Sequence, residues 1–151
     1  MLTINKTNNL TNKHWSLLLL ADPSKKMVEM YIHKSKIYEV LEDNSLLGII
    51  VLFEISKEEV EIKNIAIEPT FQGRGFGKKL INFGIKEAKI LGYSKIFICT
   101  GNSSTLQLAL YQNCGFHISN IFKDFFIENY KDEIWENGIQ CKDLIKLEQV
   151  L

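Results

Sequence analysis

The alternation of apolar and polar residues predicts three strands in the first half of the chain. Alternation over Lys36–Leu41 and a longer apolar run over Leu46–Ile55 each predict a strand, and the four polar residues between them are typical of a tight turn. A third strand over Val60–Ile67 ends before Pro69, because proline has no N–H to donate within a sheet. We therefore expect an antiparallel hairpin followed by one further strand.

Strict alternation along the third strand divides its side chains between two faces of the sheet. One face is predicted to carry Val60, Ile62, Asn64 and Ala66. The opposite face is predicted to carry Glu61, Lys63, Ile65 and Ile67.

Helical periodicity predicts four helices. The clearest runs from Gly75 to Leu91, where apolar and small residues recur every three or four positions, and Gly92 ends it. Two short helices, Trp15–Leu20 and Lys25–His33, precede the hairpin. A fourth is expected from Ser104 to Asn113, because Ser104 has the spacing of a capping residue.

Three later segments complete the prediction with strands: Lys95–Thr100, Phe116–Ile127 and Ile139–Leu147. The order of helices and strands predicts a mixed α/β fold, in which a central mixed sheet has helices on both faces. The strand–helix–strand unit from Val60 to Thr100 is expected to be parallel with a right-handed crossover. A length of 151 residues fits one domain, residues 1–151, and the sequence contains no linker.

Composition narrows the classes of partner and cofactor. Eighteen basic and 18 acidic residues give no net charge, so a nucleic-acid partner is not expected. The apolar run Leu17–Ala21 is too short to cross a membrane, so no membrane partner is expected. The three cysteines and three histidines are scattered, which predicts no metal site. An odd cysteine count without a secretory signal favours the cytoplasm.

A glycine-rich loop, Gln72–Gly77, joins the third strand to the clearest helix. The first turn of a helix has unpaired N–H groups and about half a positive charge, and glycines allow a ligand to approach the backbone. This arrangement is typical of a phosphate or pyrophosphate site. The alternative is a glycine-rich turn into a core helix without any ligand.

Two common phosphate-binding motifs do not fit this loop. The dinucleotide fingerprint requires a third glycine where this chain has Lys78, counting from Gly73 and Gly75. The Walker A motif requires glycine in place of Gln72 and a hydroxyl residue in place of Lys79.

The loop instead resembles the acyl-CoA-binding motif of the GNAT acetyltransferases, Gln/Arg-x-x-Gly-x-Gly/Ala. The strand before it, Glu61–Ile67, resembles the central cofactor strand of that family, and Tyr111–Phe116 resembles its later Tyr-x-x-x-Gly-Phe block. The resemblance covers roughly Lys36 to Phe116. It implies a GNAT-like sheet and transfer of an acetyl group from acetyl-CoA, as cosubstrate and without a metal, to a primary amine.

The resemblance also implies how acetyl-CoA is held. The free backbone of Ile65, Ala66 and Ile67 would bind the pantetheine arm, and the N–H of Ile65 would polarise the thioester carbonyl. The pyrophosphate would lie over Gln72, Gly73, Arg74, Gly75, Phe76 and Gly77, with Arg74 and Lys78 as charge partners. Many members of the family have an asparagine seven residues before the tyrosine. This chain has Ser104 there and Asn102 nearby, so either is a candidate contact.

Two residues are candidates for the proton transfers that acyl transfer to an amine requires. Glu61 is in register with the general base of the family, although a water chain can substitute and Glu61 can be an ordinary exposed strand residue. Tyr111 matches the tyrosine that protonates the leaving thiolate, or is a core aromatic at the end of a helix.

The acceptor is expected between the first helices and the late strands. Aromatic and acidic residues in those segments would suit a cationic amine, or are ordinary surface and packing residues: Trp15, Tyr31, Tyr38, Tyr130, Asp132, Glu133, Trp135 and Glu136. Whether the amine is a small molecule, a peptide terminus or a lysine stays open, as does pairing of the segment after Phe125 with a second subunit. A non-catalytic acyl-CoA sensor and a binder of another nucleotide are the alternative functions.

Overall fold

The computed structural model describes residues 1–151, which form five α-helices and nine strands. The strands are β1 (Leu2–Lys6), β2 (Lys36–Glu42), β3 (Ser45–Glu54), β4 (Glu59–Ile67), β5 (Lys95–Gly101), β6 (His117–Phe122), β7 (Trp135–Glu136), β8 (Ile139–Gln140) and β9 (Leu144–Val150). The helices are α1 (Asn12–Ala21), α2 (Lys25–Glu29), α3 (Phe76–Ile90), α4 (Thr105–Asn113) and α5 (Phe125–Asn129).

Seven strands form one mixed sheet in the order β1-β2-β3-β4-β5-β9-β6, and β7 and β8 form a separate small hairpin. The predicted hairpin of β2 and β3 is antiparallel, and β4 pairs with β5 in parallel after the α3 crossover. These pairings confirm the mixed α/β fold. The chain after α5 completes its own sheet, because β9 inserts between β5 and β6.

Each face of the sheet has its own apolar core. On one face, α3 packs Leu80, Ile81 and Ala88 against strand residues that include Ile50 and Ile62. On the other face, α1 and α2 contribute Leu17, Leu18 and Val28, which pack with residues of β2, β3 and β4. Helices therefore cover both faces, as the sequence predicts.

A β-bulge in β4 changes the predicted division of its side chains. Val51 of β3 pairs with Asn64 and Leu52 pairs with Ile62, so Lys63 is an extra residue in β4. The prediction that Ile62 and Asn64 share a face is wrong. Ile62 and Ile65 both pack in the core beneath α3, whereas Ala66 packs in the core beneath α1.

Four other segments differ from the sequence prediction. The edge strand β1 was not predicted. The expected strand Phe116–Ile127 ends at Phe122, because Asp124 has a left-handed backbone (φ +58°) and starts α5. The expected strand Ile139–Leu147 is divided into β8 and β9. The helix predicted over Lys25–His33 ends at Glu29 and continues as a 3-10 turn, Ile32–Lys34.

Candidate functional site

The parallel strands β4 and β5 separate partway along their length. Residues Glu59–Ile62 of β4 pair with Lys95–Ile98 of β5, and the rest of β4 has no partner on that side. The backbone of Ile65, Ala66 and Ile67 is therefore bonded to β3 alone, and one edge of this segment faces open space. The predicted cofactor segment thus has free backbone groups beside a gap in the sheet.

The glycine-rich loop provides a second set of free backbone groups. Gly73 and Gly75 have left-handed backbones with φ of +78° and +82°, and no atom lies within 4 Å of where a Cβ would stand. The amide N–H groups of residues 73 to 78 form no hydrogen bond within the protein. Gly75 is also the N-cap of α3, a 15-residue helix. These residues fit a pyrophosphate, because successive N–H groups and the helix dipole meet in an open concavity.

Two side chains stabilise the entry to this loop. Gln72 donates from Nε2 to the carbonyl oxygen of Ile67 at 2.9 Å, which fixes the end of β4 relative to the loop. The guanidinium of Arg74 lies 5.4 Å from the centre of the Phe71 ring. Gln72 therefore has a structural bond, and Arg74 and Lys78 remain the basic groups of the loop.

A cavity of about 1030 Å³ connects the loop with the gap between β4 and β5. Its wall includes most of the predicted cofactor residues, both predicted catalytic residues and Ser104. Because the strands separate, the cavity extends from the α3 face of the sheet to the α1 face. It therefore has two sides, and a ligand held along β4 would be accessible from both.

Tyr111 lies at the α3 side of the cavity, on α4. Its ring packs edge-to-face against Phe116 with centroids 6.5 Å apart, and the residue is only 6% exposed. Burial raises the pKa of its hydroxyl above the ordinary value, so the group is protonated at neutral pH. The hydroxyl forms no hydrogen bond within the protein, and its oxygen is not closed off from the cavity. It can therefore donate to a ligand there.

Glu61 lies at the opposite side of the cavity. It is 7% exposed, and its Oε1 is 3.6 Å from the Nζ of Lys63. Burial raises the pKa of the Glu61 carboxyl, while Lys63 and a hydrogen bond from the Cys99 thiol lower it in part. A buried carboxyl with a raised pKa is a stronger base than an exposed one once it is ionised.

The α1 side of the cavity is lined by residues of α1, α2 and α5. Of the predicted acceptor residues, Tyr31, Tyr130 and Glu136 line it. Tyr38 lies on the other face and donates to Glu87 at 2.5 Å, and Trp135 is largely exposed. Sequence reasoning missed Asp22, Cys99 and Phe126, which also line this side.

Asn102 and Ser104 hold the late hairpin in place. The Asn102 oxygen accepts from the N–H groups of Lys142 and Asp143, and its Nδ2 donates to Gln140. Ser104 donates to Glu136 at 2.9 Å and lines the cavity, whereas Asn102 lies outside its wall.

No group of three or more histidine, cysteine, aspartate or glutamate side chains is arranged to hold a metal ion. No helix has the length and apolar character that a membrane crossing requires.

Comparison with known proteins identifies the family. The model of the Acetyltransferase (GNAT) family matches residues 8–116. The chain belongs to this family. A relative in Bacillus subtilis strain 168, named uncharacterized N-acetyltransferase YvbK, is 47% identical over 133 residues, which are 88% of this chain and 86% of that protein.

Two solved GNAT structures have nearly the same fold. A GNAT family acetyltransferase from Elizabethkingia anophelis with acetyl-CoA bound has a TM-score of 0.96 and 45% identity, covering 99% of this chain and 98% of that one. A Bacillus subtilis acetyltransferase in complex with CoA has a TM-score of 0.96 and 43% identity, covering 100% of this chain and 99% of that one. This GNAT protein is therefore an acetyl-CoA-dependent N-acetyltransferase, with acetyl-CoA as cosubstrate and an acceptor that carries an amine.

Proposed function

We propose that residues 1–151 act as one N-acetyltransferase domain that transfers the acetyl group of acetyl-CoA to a primary amine by direct attack. The observation that carries this proposal is the cavity that passes through the sheet. It joins free backbone groups suited to acetyl-CoA with a buried carboxyl on one face and a protonated tyrosine on the other. Direct attack requires both substrates in one space, and the separation of β4 and β5 supplies it.

The pyrophosphate is proposed to lie against the free N–H groups of residues 73 to 78, with Arg74 and Lys78 as charge partners. The pantetheine arm would follow the open edge of Ile65, Ala66 and Ile67. The N–H of Ile65 would donate to the thioester oxygen as it gains negative charge. Ser104 lines the cavity and remains a candidate contact for the cosubstrate. Asn102 is the weaker candidate, because its amide is used by the late hairpin.

The reaction requires two proton transfers. The neutral amine nitrogen attacks the thioester carbon, and Glu61 takes the proton that the nitrogen loses, directly or through water. The tetrahedral intermediate then breaks its C–S bond, and the leaving CoA thiolate takes a proton from the Tyr111 hydroxyl. A carboxyl with a raised pKa suits the first role, and a buried tyrosine without a protein partner suits the second.

An acyl-CoA sensor without turnover is the second candidate function. The same cavity and loop would bind acetyl-CoA in a sensor. The positions of Glu61 and Tyr111, on opposite sides of one cavity, favour the enzyme, because binding alone requires neither.

Steady-state release of CoA in the presence of acetyl-CoA and a panel of primary amines tests the proposal. We expect saturable CoA release with at least one amine class, well above hydrolysis without amine. Tight acetyl-CoA binding without amine-dependent CoA release would favour the sensor.

We also propose that the protein acts in the cytoplasm on a small-molecule or peptide amine, with neither nucleic acid nor membrane as partner. Three free cysteines and the absence of net charge support this setting. Association into a homodimer is proposed through β6, one of the two edge strands of the sheet. Its exposed apolar side chains are Ile118, Ile121 and Phe122.

A further inference from the structure

The α1 side of the cavity contains a carboxylate that no basic side chain neutralises. Asp22 follows α1 and is half-buried in the cavity wall. Its Oδ1 accepts from the N–H of Ser24 at 3.1 Å and from the Tyr130 hydroxyl at 3.2 Å. It forms no salt bridge, and its second carboxylate oxygen has no hydrogen bond within the protein. A half-buried carboxylate with an unused oxygen favours a cationic donor.

A buried amide holds Tyr31 in place in the same wall. Asn64 is 3% exposed, and its Nδ2 donates both to the carbonyl oxygen of Leu18 and to the Tyr31 hydroxyl, each at 3.0 Å. These bonds fix the amide, because the reverse orientation would place two oxygens against each other. Asn64 Oδ1 is the one buried side-chain nitrogen or oxygen that has no hydrogen-bond partner. This oxygen is closed to the cavity, so Asn64 holds the Tyr31 hydroxyl in place and does not itself contact a ligand.

Both Asp22 and Glu61 lie close enough to Tyr31 to influence its hydroxyl. Asp22 and Glu61 both add to the effect of burial that raises the pKa of the Tyr31 hydroxyl to about 12. The Nζ of Lys63 lies 5.5 Å from the Tyr31 ring centre and 3.6 Å from Glu61, so this cation is engaged at the Glu61 end. Glu61 therefore has a cation beside it, whereas Asp22 is the carboxylate near Tyr31 that has none.

Apolar side chains also line the wall that contains Asp22 and Glu61. Leu20, Met27 and Phe53 line the same side of the cavity. They offer no hydrogen bonds, so the middle of a bound acceptor is best matched by methylene groups.

We infer that the acceptor is a dication: a primary amine joined by an apolar chain to a second cationic group, which binds at Asp22 beside Tyr130 and Tyr31. This inference rests on the proposed acetyl transfer and names the substrate class of that site. The reacting amine loses its proton near Glu61, while the second cation stays charged and donates to Asp22. Asp22 is thus a specificity residue and takes no part in the proton transfers.

Matched pairs of amines test the inference with the intact protein and acetyl-CoA. We compare n-butylamine with 1,4-diaminobutane and n-pentylamine with 1,5-diaminopentane, measuring kcat/KM from CoA release. At the best chain length, the diamine is expected to exceed the monoamine about 10- to 100-fold, the range of a hydrogen bond to a charged group. A diamine carries two equivalent reactive amines, and this alone would raise its kcat/KM by a factor of only about two. Equal kcat/KM values within the pairs overturn the inference.

The variant Asp22→Asn isolates the charge. An asparagine oxygen can still accept from Ser24 and Tyr130, so we expect the fold to be retained, which thermal melting checks. Asp22→Asn is expected to lower kcat/KM for the diamine about 10- to 100-fold and to leave the monoamine within about twofold. Glu29→Gln removes an exposed carboxylate from the adjacent α2 and should change neither. Equal losses for both amines would show a structural role and overturn the inference.

The outcomes separate this inference from the proposed function. Turnover of monoamines without a diamine preference keeps the acetyltransferase and rejects the Asp22 subsite. A lack of turnover with every amine rejects both. Calorimetry adds a readout without turnover: 1,4-diaminobutane titrated into the protein–CoA complex should bind at least tenfold more weakly to Asp22→Asn, and unchanged affinity would count against the subsite.

Discussion

Glu61 and Tyr111 reach the same cavity from opposite faces of the sheet. Glu61 points away from α3 on β4, whereas Tyr111 lies on α4 above the other face. In a fully paired sheet these side chains would be separated by backbone. The separation of β4 from β5 gives them access to one ligand, so their roles depend on a gap in hydrogen bonding.

Removing the Tyr111 hydroxyl tests its role as proton donor. Tyr111→Phe keeps the ring that packs against Phe116, so stability should change little. We expect kcat to fall about 100-fold or more, within the range for general acid catalysis. The acetyl-CoA dissociation constant from calorimetry should stay within about twofold. An unchanged kcat would remove Tyr111 from the mechanism.

Replacing Glu61 with glutamine tests the base. Burial raises the pKa of this carboxyl above its reference value of 4.5, so the acidic limb of the wild-type kcat/KM profile should lie above pH 4.5. Glu61→Gln should lose that limb and most of the rate. A variant that keeps the wild-type profile would assign the base role to a water chain.

The same variant has an expected effect on stability. A raised pKa means that the folded protein holds the Glu61 proton more tightly than the unfolded chain does. The ionised carboxylate therefore reduces the free energy of unfolding as the pH rises through the folded-state pKa. Glu61→Gln should melt no lower than wild type at pH 7, and any gain should shrink near pH 4. A clear drop in melting temperature at pH 7 would show that the Lys63 ion pair outweighs burial.

Residues in local motifs could be predicted from the sequence, and residues joined by tertiary contacts could not. Gly75 and Tyr111 belong to short patterns with a fixed spacing, so their candidate roles are visible along the chain. Asp22 meets Tyr130 across 108 positions, and no local pattern marks it. Tyr38 was misplaced for the same reason, because a pattern of alternation does not identify which face carries the acceptor.

At the scale of elements, the N-terminus of α3 and the bulge in β4 position the site. The bulge at Lys63 reverses the phase of β4, so Glu61 faces α1 while Ile65 faces α3. The apolar pattern predicted β2, β3 and β4 and the antiparallel pairing of β2 with β3 correctly. It could not predict the bulge, because an extra residue in one strand depends on the pairing with its neighbour.

Gly75→Glu tests the loop, and Gly92→Glu is its matched control. Both glycines have left-handed backbones, with φ of +82° and +93°, and open space for a Cβ, so both variants should lose about 1–2 kcal/mol of stability. They lie at opposite ends of α3. Gly75→Glu should weaken acetyl-CoA binding more than 100-fold by repelling the pyrophosphate, whereas Gly92→Glu should bind normally. Equal affinities in calorimetry would refute the loop assignment.

His14 stabilises the start of α1. Its Nδ1 accepts from the N–H of Thr11 at 3.0 Å, and its Nε2 lies 2.8 Å from Glu39 of β2. His14→Ala should lower the free energy of unfolding by about 1–3 kcal/mol, because a cap and a charge-assisted bond are lost. His33→Ala, at an exposed position, should have almost no effect in denaturant titrations. Similar losses in both would contradict this assignment.

For the whole molecule, the sequence predicted the class of fold and most of the central sheet, but not its edges. The apolar runs of β3 and β5 and the alternation in β2 and β4 are clear sequence signals, because apolar cores lie on both faces of the sheet there. The missed β1 is short and partly polar, since it pairs with β2 alone. The strand predicted over Phe116–Ile127 is too long, because it includes the start of α5. The aromatic residues of α5 line the cavity and therefore resemble a buried strand in sequence.

A substitution on the edge strand β6 tests the proposed homodimer. Ile118 and Ile121 are 50% and 56% exposed, and unpaired edges with apolar side chains favour pairing with another chain. Light scattering should give twice the mass of one chain for the wild type and the mass of one chain for Ile121→Lys. A monomeric wild type would reject the dimer.

Binding of acetyl-CoA to the purified protein tests whether the cavity between β4 and β5 is an acetyl-CoA site. Calorimetry should show one site per chain with micromolar or tighter affinity, and ATP and NAD should bind far more weakly because the loop lacks their motifs. Gly75→Glu should abolish the signal. An absence of acetyl-CoA binding by the folded protein, or equal binding of ATP, would show that this cavity is not a specific acetyl-CoA site.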